Sequence, residues 1–103
     1  MSERIVVQVD EDLQEIMPRY LEIRQRELLE LEQAVSEQNF DQIRMLGHKL
    51  KGTGSAYGFD ELSRLGMLIE DKAVEKDMSD VPMFTSKVRH YLDNLEIVYV
   101  ETE

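Results

Sequence analysis

A chain of 103 residues allows one domain, because two would leave neither with a workable core. With 22 acidic against 12 basic residues the net charge is −10, which argues against a general nucleic-acid binder and for a soluble protein. No apolar run approaches the roughly 18–20 residues of a membrane span, and without cysteine there is no disulfide framework and no thiolate zinc site.

The opening MSERIVVQVDED is too short and too acidic for a secretory signal, so a cytoplasmic location is expected. An extended segment covers about residues 1–9, where Ile5, Val7 and Val9 alternate with other residues. Asp10 or Asp12 then caps a short helix carrying Leu13, Ile16 and Met17. Pro18 either opens the next helix at its first turn or kinks a continuous one. Beyond it Leu21, Leu28, Leu31 and Val35 form an apolar stripe at helical spacing.

Asn39 followed by Gln42 reads as a capping box for a further helix, which Gly58 ends just after Tyr57. Asp60 caps the next, with the stripe Leu62, Leu65, Ile69 and Ala73. A polar link over residues 76–79 leads to a last helix carrying Phe84, Val88, Tyr91 or Leu92, and Leu95. The pattern predicts an all-α protein, an antiparallel up-and-down four-helix bundle over about residues 10–98 with a short extra N-terminal helix. The tail IVYV (97–100) is rich in β-branched residues like the start, so the two ends are candidates for short paired strands.

From Gln42 to Phe59 there is no acidic residue, where about four would fall by proportion, and Arg44, Lys49 and Lys51 make the segment basic. His48 stands at its centre. At 100° per residue, Ile43, Leu46, Leu50, Thr53, Gly54 and Tyr57 fall within about 60° of the direction opposite His48, and form the buried stripe. Arg44, Met45, Lys51, Gly52 and Ser55 share the histidine's own exposed side. His90, the second histidine, falls off the apolar stripe of the last helix and reads as a surface residue.

Gly54, at the stripe's edge, lets a neighbouring helix approach. Gly52, on the exposed face, gives up helix stability for no packing return, as a functional position does. A neutral imidazole is a nucleophile near neutral pH. Lys51 at i+3 would disfavour the protonated ring and could neutralise the oxygens of an arriving phosphoryl group, and Arg44 at i−4 could do likewise from the other side. No P-loop or dinucleotide fingerprint completes itself around these glycines: Thr53 stands where a P-loop needs lysine. With two histidines and no HExxH, a metal site has no support.

His48-Lys49-Leu50-Lys51-Gly52, followed by Gly58 and then Leu62, Leu65, Gly66, Ile69 and Glu70, resembles the histidine phosphotransfer (HPt) domain of two-component phosphorelays. The resemblance implies that His48 carries a phosphoryl group on Nε2, relayed to or from a receiver-domain aspartate. Lys51 would be the stabilising cation, and Gly52 would keep the approach open. It implies response-regulator receivers and hybrid histidine kinases as partners, magnesium supplied by the receiver, and no cofactor or ATP-dependent kinase activity of the chain's own. The receiver would cover Met45, Lys49, Ser55 and Arg44, with Leu13, Ile16 and Met17 of the short helix beside them. Gly47, where the family often has alanine, would loosen the helix locally. The rival is a helical adaptor or inhibitor that binds a receiver or kinase without accepting phosphate. A phosphohistidine phosphatase would need a positioned carboxylate or amide on the His48 face, and the helix layout places none there. A monomer is expected, because each stripe is used within one bundle.

Leu50 tests the orientation of this helix. Leu50→Asp is expected to destabilise the fold by several kcal/mol, about the scale of other core disruptions, as read by thermal melting. A variant that melts like wild type would mean the helix is turned the other way.

Overall fold

The computed structural model describes residues 4–101, so the first three residues of the expected extended segment, and 102–103, lie outside the described residues. Four helices carry the chain: α1 (Met17–Ser36), α2 (Phe40–Ala56), α3 (Asp60–Val74) and α4 (Val81–Asp93). Two short strands, β1 (Ile5–Asp10) and β2 (Leu95–Val100), bracket them in sequence and pair in parallel, Ile5 opposite Leu95 and Val9 opposite Tyr99. The sheet departs from an all-α fold, but it is the pairing of the two ends for which their β-branched pattern made them candidates. The period-2 alternation that marks the start as extended also explains its docking. Ile5, Val7 and Val9 face inward, with Val9 2% exposed, while Val6 on the other face is 57% exposed.

The expected short helix carrying Leu13, Ile16 and Met17 does not form. A single 3₁₀ turn, Glu11–Leu13, follows β1, with the Asp10 side chain accepting from Asp12 N at 2.9 Å. Ile16 is the residue before α1, and Met17 is the first residue of α1 itself. Pro18 therefore lies in the first turn of α1, where its missing N–H has no helical partner to lose, and it opens the helix rather than kinking it. Leu95, assigned by spacing to the last helix, begins β2. Asn39 caps α2 through Gln42 N at 3.2 Å, whereas α3 is preceded by Phe59, with Asp60 already in its first turn. Gly58 ends the α2 segment at φ 88°, a conformation a glycine adopts without strain.

Leu28, Leu31, Ile43, Leu46, Leu50, Leu62, Leu65, Ile69 and Val88 fill the core, each 2% exposed or less. Leu50 thus points inward, as its place opposite His48 requires. The most extensive contact between helices is that of α2 with α3. Both Tyr91 and Leu92 are buried on α4. His90 is exposed.

The inner seam of α1 contains two charged residues that an apolar pattern cannot reveal. Arg24 (7% exposed) and Glu27 (8% exposed) lie one turn apart, Nε to Oε1 at 2.7 Å, as an ion pair without the alignment of a hydrogen bond. The guanidinium carbon also sits 4.8 Å from the centre of the Tyr20 ring. Breaking such a pair strands a buried charge, while replacing both partners with apolar residues does not. Glu27→Leu is expected to lose about 3–5 kcal/mol, and Arg24→Met/Glu27→Leu to return to wild-type stability or above it. Urea denaturation measures both, and losses that simply add would contradict this account of the seam.

Candidate functional site

His48 lies in the middle of α2 with its side chain 66% exposed, on the face opposite the buried Leu46 and Leu50. A neighbour that sequence spacing did not foresee meets the ring. Glu70, from α3, places Oε2 2.8 Å from His48 Nδ1 and Oε1 3.0 Å from Lys51 Nζ. Its side chain is 15% exposed, so one carboxylate, largely withdrawn from water, bridges the imidazole and the ammonium. The Lys51 ammonium holds the Glu70 carboxyl below the usual carboxylate range; burial opposes this and His48 adds to it.

An ionised carboxylate can only accept hydrogen bonds, so Nδ1 is the donor in this contact. The neutral ring then carries its lone pair on Nε2. Lys51, expected on the histidine's side from spacing alone, meets it through Glu70, at 41% side-chain exposure. The one functional neighbour missed by the helix layout is therefore Glu70. Its signal was present as the glutamate closing the Leu62, Leu65, Ile69 series, but a wheel drawn on one helix cannot show a group arriving from another.

Gly52 is open on its flank: a Cβ there would meet nothing within 4 Å. Gly47 does not loosen the helix. It is a point of closest approach, where a Cβ would lie 2.8 Å from Glu70 N and 2.9 Å from Gly66 O. Gly54 is likewise pressed against α3, its Cβ position 2.8 Å from Ser63 N, as its place on the stripe predicted.

Arg44, Met45, His48 and Lys49 line one groove of about 740 Å³ beside α2, together with Asn39, Asp41 and Gln42. Met45 is 40% exposed, and Ser55 is exposed further along the same helix. The residues expected from the N-terminal helix fare differently. Met17, expected at the docking surface, is instead 1% exposed and belongs to the core. Leu13 is half-buried against that core. Ile16 is 45% exposed but faces a separate groove of about 450 Å³, with Tyr20, Ile23, Thr53 and Tyr57. The structure does not bring this trio to the His48 groove, because Tyr20 ties that end of α1 to the C-terminal part of α2 through Thr53 O (3.3 Å).

The family model described as the Hpt domain matches residues 8–97, and the chain belongs to that family. Hpt domains are phosphocarriers rather than kinases, act in two-component signalling, and interact with receiver domains and histidine kinases. No curated protein and no solved structure matches the chain. Among the described residues no helix is long and apolar enough to cross a membrane.

The depressed Glu70 carboxyl fixes a sign. A carboxyl whose folded pKa lies below its unfolded value, here 4.5, contributes stability above that value and loses it as pH falls through the folded pKa. Wild type is therefore expected to lose stability relative to Glu70→Gln as pH is lowered from just above 4.5 down through the depressed folded pKa. Parallel denaturation curves of the two proteins across that range check it, and a constant difference between them would contradict it.

Proposed function

We propose that the protein is a histidine phosphotransfer protein of a two-component phosphorelay, accepting a phosphoryl group on Nε2 of His48 and donating it to, or receiving it from, a receiver-domain aspartate. The observation that carries this reading is the Glu70 contact on Nδ1 of an exposed imidazole, which turns the nucleophilic Nε2 outward. In the accepting step the Nε2 lone pair attacks phosphorus of the aspartyl phosphate. The N–P bond forms, the P–O bond to the aspartate breaks, and the aspartate leaves as carboxylate with the electron pair. The ring keeps its Nδ1 proton and becomes cationic, and the Glu70 carboxylate lies against that charge. Transfer outward reverses the same bonds, with the Nδ1-protonated imidazole as leaving group.

Lys51 compensates the Glu70 charge, so that the incoming phosphoryl oxygens meet a site that is not net acidic. Gly52 leaves the ring's flank bare for the receiver, which brings its own aspartate and magnesium; the chain supplies no ATP-dependent step. Arg44, Met45, Lys49 and Ser55 form the docking surface, the cations facing a receiver's acidic pocket. A hybrid histidine kinase is the other partner, and the protein acts as a cytoplasmic monomer. Links of three residues, 37–39 and 57–59, cannot carry the chain back along helices of 20 and 17 residues, which supports an antiparallel up-and-down course.

A phosphatase reading gains a carboxylate from Glu70, but its two oxygens are engaged by His48 Nδ1 and the Lys51 ammonium. Phosphoramidate, or a phosphorylated receiver, is the donor for the test. Wild type is expected to take an acid-labile, base-stable label that His48→Gln lacks. Lys51→Ala is expected to fold normally and label more slowly, by up to about 10²-fold. A wild type that binds receivers yet takes no label from any donor would replace this reading with a non-phosphorylated adaptor or inhibitor.

A further inference from the structure

The Glu70–His48 contact spans two helices, so it depends on how near their backbones come. At Gly47, the residue immediately before His48, a Cβ would stand 2.8 Å from Glu70 N and 3.2 Å from Glu70 Cα. From the other helix, a Cβ on Gly66 would stand 2.6 Å from Lys51 N and 2.7 Å from Gly47 O. Real Cβ atoms do not approach backbone atoms this closely, so any side chain at either position pushes α2 and α3 apart beside the site.

We infer that Gly47, with Gly66 opposite it, is a positioning residue for His48: its missing side chain sets the Glu70 backbone close enough for the carboxylate to reach Nδ1. Helical sequences elsewhere have little use for glycine at a buried interior position, where alanine is favoured by roughly 0.5–1 kcal/mol. Here alanine would meet the backbone of the very residue that touches the histidine. His48 and Lys51 both ride on α2, so parting the helices lengthens both Glu70 contacts, 2.8 and 3.0 Å, at once. The consequence is the ring's tautomer, set by the hydrogen bond at the nitrogen that does not react. The consequence for phosphoryl transfer rests on the function proposed above; the consequence for the tautomer does not.

Gly54 supplies the control. It makes the same kind of contact between the same helices, its Cβ position 2.8 Å from Ser63 N and 3.0 Å from Phe59 O, without touching Glu70. Gly47→Ala and Gly54→Ala are both expected to lower Tm. Only Gly47→Ala is expected to change the His48 ring in ¹⁵N-histidine NMR, lowering the share of neutral imidazole protonated at Nδ1, with His90 as internal reference. Labelling by phosphoramidate should slow by roughly tenfold, the scale of a lost orienting partner. Glu70→Ala should show the same spectral change, and the double variant Gly47→Ala/Glu70→Ala no further one. If Gly47→Ala does not fold, Gly66→Ala presses on the same crossing from α3 and is read in the same way. An unaltered His48 spectrum in a folded variant at this crossing, or an equal change in Gly54→Ala, overturns the inference. A wild type that never labels would overturn the proposed function instead, while the NMR comparison would still decide the positioning role.

Discussion

The site depends on the approach of α2 to α3. A carboxylate from one helix can lie against an imidazole on another only if the backbones come near, and here they meet with glycine on both sides. The rest of the core serves that contact. Leu46 and Leu50 bury one side of α2, and Leu62, Leu65 and Ile69 bury one side of α3. The two helices cannot rotate without exposing these residues. His48 is thereby held outward and Glu70 sideways, and the hydrogen bond follows from packing rather than from a mobile side chain finding its partner.

Charge is arranged to the same end. In a chain of net charge −10, a dianionic phosphoryl group or an acidic partner would meet repulsion over most of the surface. The acid-free stretch of α2 interrupts that field with Arg44, Lys49 and Lys51. The one acid admitted to its centre, Glu70, comes with Lys51 bound to it. Elsewhere charge holds the fold: Arg89 clasps Glu32 with two contacts of 2.6 Å between α4 and α1. That guanidinium keeps the Glu32 carboxyl below its ordinary range, with burial opposing.

Much of this could be read from the sequence, for identifiable reasons. Amphipathic spacing located the four helices and turned Leu50 inward and His48 outward, because periodicity reports directly which face is buried. The close approach at Gly54 and the pairing of the two ends were also legible, but most of what depends on a second element escaped. Glu70 could be quoted as part of a motif but not placed beside His48. Gly47 looked like a local weakness because its reason lies on α3. Arg24 and Glu27 defeat an apolar pattern because each lies inside against the other's charge, with the Tyr20 ring beside the guanidinium. The N-terminal segment misled in another way. Leu13, Ile16 and Met17 have helical spacing, but β1 pairs with β2 and delivers the chain into a 3₁₀ turn, leaving Met17 to start α1 and enter the core.

With Glu70 on Nδ1, Nε2 is the nitrogen proposed to react. Phosphorylating ¹⁵N-histidine-labelled protein with phosphoramidate and recording ³¹P–¹⁵N couplings tests it most directly. The coupling is expected at Nε2 of His48, with the Nδ1 proton retained in a hydrogen bond. A phosphoryl group coupled to Nδ1, or carried on His90, would contradict it.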